Sequence, residues 1–195
     1  MKCDRALQCF VGGWGFLNAT LTNSATGELI PEWHSIYPSG ISVYSASGYI
    51  SFIITANDTT QTDVRPREVT LPAQPGDSND TWALVAQHSL GVGGTYSLSN
   101  ITCDGGKGKG GKYNQAWKDW VNKGKGWGWG ASSAGPSGLL TVNSTTATLP
   151  SYVGGQLVNT FEFTEDCSKH VLVADFGGAY QTVWFYRLPQ LGVFA

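Results

Sequence analysis

Ile41-Ser42-Val43-Tyr44-Ser45-Ala46-Ser47-Gly48-Tyr49-Ile50-Ser51-Phe52-Ile53-Ile54 decides the fold class. Two runs rich in β-branched and aromatic residues flank Ala46-Ser47-Gly48, a short link containing glycine. Such side chains suit a pleated, half-buried surface, and two such runs across a short glycine-containing loop form a β-hairpin. The hairpin leaves one matter open. A shift of one residue turns every side chain to the other face, so which residues point inward is not fixed by the sequence.

Outward from the hairpin the pattern stays β. Trp14 to Leu21 carries ring and β-branched residues ahead of a turn over Asn23 to Glu28. Thr95–Ser99, Gly138–Asn143, Thr145–Leu149, Gly155–Thr164, His170–Phe176 and Gln181–Leu188 are further strand candidates. The last three are separated by Asp166-Cys167-Ser168-Lys169 and Gly177-Gly178-Ala179. Residues 56–77 hold three prolines and form a loop. Asp77 or Ser78 caps a short helix over Asn79–Ser89, with Trp82, Val85 and Ala86 on one face, and Gly91-Val92-Gly93-Gly94 ends it. Short strands with turns about every 8–12 residues predict a sandwich or barrel. The expectation is an all-β chain: a single antiparallel up-and-down β-barrel over residues 1–195, with one or two short helices.

Residues 103–138 differ in kind and are read as an insertion inside a hairpin. Glycine- and lysine-rich flanks enclose a helical pattern from Tyr113 to Asn122, where Tyr113, Trp117, Trp120 and Val121 share a face. Half of the twelve basic residues fall here. A lid over the barrel mouth is the expected role, with Trp117 or Trp120 reaching a ligand; a lipid anchor, a nucleic-acid arm and a loop with no role are the alternatives.

Composition narrows the function. Only 13% of residues are charged and the net charge is -2, so no electrostatic footprint for nucleic acid is expected. No stretch reaches eighteen apolar residues, so no transmembrane helix is expected. Cys3, Cys9, Cys103 and Cys167 contain no C-x-x-C pair and read as reduced thiols. The opening MKCDRALQCFVGGWGFL lacks the apolar run of a secretory leader, which gives a cytoplasmic expectation. Five N-x-[ST] sequons, at Asn18, Asn57, Asn79, Asn100 and Asn143, keep secretion as the alternative.

With these segments in order, the chain resembles the lipocalin-like domain proteins of bacteria and fungi. The resemblance rests on Phe10-Val11-Gly12-Gly13-Trp14, Ser45 to Ser51 of the hairpin, Gly93-Gly94-Thr95-Tyr96, Leu149-Pro150-Ser151-Tyr152-Val153-Gly154 and Val183-Trp184-Phe185-Tyr186-Arg187. It spans residues 10–188 except the insertion, which departs from the family pattern. It implies a barrel with an apolar cavity. It also implies that Trp14 packs under Arg187 and plugs one end, a structural pair outside the site. Members of this kind include both ligand carriers and cyclase- or isomerase-type enzymes.

Candidate chemistry follows from residue type. His34 and His88 are the candidate proton-transfer groups, because histidine alone titrates near neutral pH unperturbed. His170 follows a turn and is expected to be exposed. Tyr44 and Tyr96 offer hydroxyls that could share a proton or orient a carbonyl. Tyr49, Phe52, Tyr152, Phe161 and Tyr180 are candidate ligand contacts from ring-rich strands. Arg65, beside Pro66, is a candidate clamp at the mouth. Glu162 and Asp175 are expected to face solvent. No His-Glu-x-x-His, nucleophile elbow or Walker loop occurs, and GGKGKGGK is followed by Tyr113 where a phosphate loop needs Ser or Thr. The expected function is a cofactor-independent, metal-free enzyme of secondary-metabolite biosynthesis. It would cyclise, isomerise or dehydrate an apolar substrate in the barrel. The alternative is a non-catalytic carrier of a small hydrophobic ligand. A titratable pair facing the cavity favours the first, and a wholly apolar lining the second.

Overall fold

The computed structural model describes residues 4–30, 38–56, 76, 78–80, 83, 89–103 and 135–189. Eight strands form a closed, fully sequential antiparallel barrel: β1 (Gly12–Asn23), β2 (Pro38–Tyr44), β3 (Tyr49–Ala56), β4 (Ser89–Thr102), β5 (Ser137–Ala147), β6 (Gln156–Phe163), β7 (Lys169–Asp175) and β8 (Ala179–Arg187). β8 returns to pair with β1 from Trp14↔Arg187 to Asn23↔Ala179, so no strand edge is left open. The expected all-β, up-and-down barrel is therefore the observed one.

The hairpin at its heart is β2–β3. Ser45 Oγ accepts from the Tyr49 N–H at 2.9 Å, and Gly48 turns the chain with a φ of 86° that favours glycine. The turn after β1 is built by Asn23, whose Oδ1 accepts from the N–H groups of Ala25 and Thr26 at 2.8 and 3.1 Å.

Three expected elements come out differently. Gly91-Val92-Gly93-Gly94 does not end a helix but lies inside β4, which starts at Ser89. A Cβ on Gly94 would sit 2.0 Å from the Asn143 carbonyl oxygen, so these strands approach too closely for a side chain there. Asn79, Asp80 and Ala83 are helical, but Ser89 belongs to the strand. The two strands expected over Gly138–Asn143 and Thr145–Leu149 are one, β5.

The sequence pattern gave no hint of α1 (Asp4–Phe10), which closes the barrel end where β1 begins. Phe10 is fully buried among Tyr44, Phe161 and Phe163, with ring centroids 4.9, 4.9 and 4.7 Å away. Offset and edge-on contacts of this kind are the favoured aromatic geometries. Trp14 Nε1 donates to the Phe10 carbonyl at 2.8 Å, joining the helix to β1. Arg187 lies over the Trp14 ring at 4.4 Å, as the resemblance implied.

The cysteines correct the reduced-thiol expectation. Cys9 of α1 is bonded to Cys167 of the β6–β7 turn, and Cys103 is disulfide-bonded as well. No described cysteine is free. Spacing along the chain is uninformative for such a pair, because 158 residues separate two positions that the barrel brings to one end.

The insertion joins β4 to β5. Thr102 and Ser137 are Cα partners, so the segment leaves and re-enters at the plugged end, not at the mouth. Residues 104–134, with Trp117, Trp120 and the expected helix, lie outside the described residues. Among the described residues, no helix is long and apolar enough to cross a membrane, a statement that says nothing about strands.

Candidate functional site

Above the plug the barrel encloses a cavity of about 700 Å³, within the range that holds a small organic molecule. Alternation along each strand sets its walls. Ile50, Phe52 and Ile54 of β3 point in, as do Leu140 and Val142 of β5, Leu172 of β7, and Val183 and Phe185 of β8. Phe16 and Ala19 continue the wall on β1, with the register shift between Phe16 and Asn18 setting their spacing. Toward the far end the lining turns polar, with Thr55, Ser89, Gln156 and Asp175. Asp175 there is exposed.

Of the twelve candidate site residues, Tyr44, Phe52 and Tyr152 line this cavity. Tyr152 reaches it from a single turn of 3-10 helix, Pro150–Tyr152, that Pro150 opens. Tyr96 and Phe161 belong to the plug. Both are buried against Phe10, and the Tyr96 hydroxyl is committed to the Ser45 carbonyl at 2.8 Å. Tyr49 is 61% exposed on the outer wall. Tyr180 alternates with the inward Gln181, Val183 and Phe185 and does not line the cavity. His34, Arg65, His88, Trp117 and Trp120 lie outside the described residues.

His170 overturns its expected exposure: it is 2% exposed, at the centre of the floor. It follows a turn, as the sequence indicates, but Phe163↔His170 pairing turns its ring inward beside the plug. It lies flat on Phe185 and edge-on to Trp14, at 4.7 and 4.3 Å. Neither ring nitrogen has a hydrogen-bond partner. Burial, with the nearby Arg187 charge, pushes its pKa down to about 3, so the ring is neutral at physiological pH. A sealed neutral imidazole cannot exchange protons with a ligand above it.

Ser42 escaped sequence reasoning altogether. It is 2% exposed, lines the cavity and shares the inner face of β2 with Tyr44. Burial, and secondarily Tyr96, raises the Tyr44 pKa well above the ordinary tyrosine value, so its hydroxyl stays protonated. Among the described residues, no group of three or more metal-ligating side chains occurs. The site thus offers apolar enclosure, neutral hydroxyls within, and a polar rim. No family model and no curated protein matches the chain.

Proposed function

We propose that this protein binds a small, largely apolar molecule inside its barrel and does not transform it. A barrel of lipocalin-like architecture that holds such a ligand is the reading best supported by its lining. The observation that carries it is a cavity of about 700 Å³ walled by aliphatic and aromatic side chains above a sealed aromatic floor. Burying an apolar ligand against such walls stabilises the complex by roughly 25 cal/mol per Å² removed from water. General acid–base catalysis works best with a group that titrates near neutral pH. Among the described lining residues, Tyr44 holds its proton too tightly and Asp175 stands out at the rim.

Titration with diphenylhexatriene, a hydrocarbon that fluoresces on entering an apolar site, tests this reading. Saturable binding of one dye per chain at roughly 10 µM or tighter is expected. It should weaken in Val183→Trp, which narrows the cavity. Absence of saturable binding to the folded wild-type chain would sink the proposal.

The disulfides favour the secreted alternative over a cytoplasmic site of action, because such bonds persist in oxidising compartments. Thiol alkylation of protein taken directly from its native source tests this. Labelling of Cys9 or Cys167 without prior reduction would contradict it.

A further inference from the structure

β2 is built inside out. Ile41 and Val43 are each 50% exposed on the outer wall, whereas Ser42 and Tyr44 are each 2% exposed on the inner one. On a half-buried strand the apolar residues normally face the core. The neighbouring β3 obeys that rule, with Ile50, Phe52 and Ile54 inside. Local violations of the pattern are expected at functional or strained sites.

The two hydroxyls are also uncommitted. Neither Ser42 Oγ nor Tyr44 Oη has a hydrogen-bond partner among the described residues, while Tyr96 Oη beside them does. Among the described residues, the fully buried side-chain atoms without a hydrogen-bond partner are Thr20 Oγ1 and the two His170 nitrogens, and neither Ser42 Oγ nor Tyr44 Oη is one of them. Ser42 and Tyr44 both line the cavity, two residues apart on one strand face, where β2 runs down to the plug.

We propose that Ser42 and Tyr44 form a neutral hydrogen-bonding station on the β2 wall, which takes the acceptor oxygen of an uncharged, otherwise apolar ligand. Tyr44 donates its O–H to that oxygen, and Ser42 donates or accepts beside it. The ligand head is a carbonyl, ether or alcohol and not a carboxylate. The surroundings that disfavour a phenolate at Tyr44 disfavour any other anion placed there. The inference rests on the binding reading above and adds the chemical class of the ligand.

The test uses two dyes of similar size. Prodan is uncharged and carries one ketone oxygen, and its emission moves to shorter wavelength when that oxygen loses a hydrogen bond. Diphenylhexatriene has no polar atom. Wild type, Ser42→Ala and Tyr44→Phe are titrated with both, each variant first checked for an unchanged melting temperature. Either substitution should weaken Prodan binding about fivefold to tenfold and shift its emission to the blue. Diphenylhexatriene affinity should stay within about twofold. Dodecanol should displace Prodan at concentrations where dodecanoate does not. Unchanged Prodan affinity and emission in both variants would overturn the station. So would equal weakening of both dyes, which would make the pair mere packing, and so would preferential displacement by dodecanoate. Failure of wild type to bind either dye is a different result. It removes the binding reading itself, and this inference with it.

Discussion

Arg187 holds its guanidinium carbon 4.4 Å from the centre of the Trp14 ring and at the same time donates to three carbonyls of the plug. Nη1 reaches the Val11 oxygen and Nε the Cys167 oxygen, each at 3.1 Å, and Nη2 reaches the Cys9 oxygen. One side chain therefore ties the last strand, the helix end, the first strand and the β6–β7 turn together. Cation–π contact contributes roughly 0.5–2 kcal/mol, and hydrogen bonds from a charged donor contribute more than neutral ones. Arg187→Ala should cost about 3 kcal/mol and lower the melting temperature by roughly 10 °C, with dye affinity per folded molecule unchanged. Arg187→Lys should recover only part of the loss, because a lysine cannot reproduce the planar fork. Thermal unfolding of both variants checks this, and a drop of under a degree would refute the clamp.

The Cys9–Cys167 bond fastens the same plug covalently across 158 residues of sequence. On the chain-entropy account, a loop of that length stabilises by up to about 5 kcal/mol. Replacing both cysteines by alanine should move the denaturant midpoint down strongly while the barrel still forms. An unchanged midpoint would show that the plug stays seated without the bond.

His170 gives the fold an acid-sensitive floor. Its pKa is about 3 when folded, against an ordinary value of 6.5. The unfolded chain therefore binds an extra proton between these values, and stability falls as pH drops through that window. The slope approaches about 1.4 kcal/mol per pH unit. Asp166, held near 2 by hydrogen bonds from Thr164 and Ser168, acts only lower, below about pH 4. His170→Phe should flatten the stability profile between pH 6 and pH 4. An identical profile in that variant would assign the acid sensitivity elsewhere.

How much of this was readable depends on the strand. Tyr49-Ile50-Ser51-Phe52-Ile53-Ile54 places three apolar residues at alternate positions 50, 52 and 54, and these are the inward ones. That parity would have set Tyr49 outside. The same rule applied to Ile41-Ser42-Val43-Tyr44 picks the wrong face, because the inner residues there are Ser42 and Tyr44. The Trp14–Arg187 pair was expected from resemblance and is present. The plug was not legible, because Phe10 and the Cys9–Cys167 bond acquire their meaning only when the barrel closes. His170 illustrates the same limit. A histidine after a polar turn looks exposed until strand pairing turns it inward.

The central claim is that an apolar ligand sits inside the barrel and not on its outer apolar wall. The chain offers an internal control, since isoleucine and valine occupy both faces. Ile50, Ile54 and Val183 line the cavity, whereas Ile41, Val43 and Ile53 are at least half exposed outside. Methyl NMR of isoleucine- and valine-labelled protein during Prodan addition separates the two sets. Saturable shifts at Ile50, Ile54 and Val183, with Ile41, Val43 and Ile53 unmoved, are the expected result. Shifts confined to Ile41, Val43 and Ile53 would place the ligand on the outer wall and contradict a binding cavity.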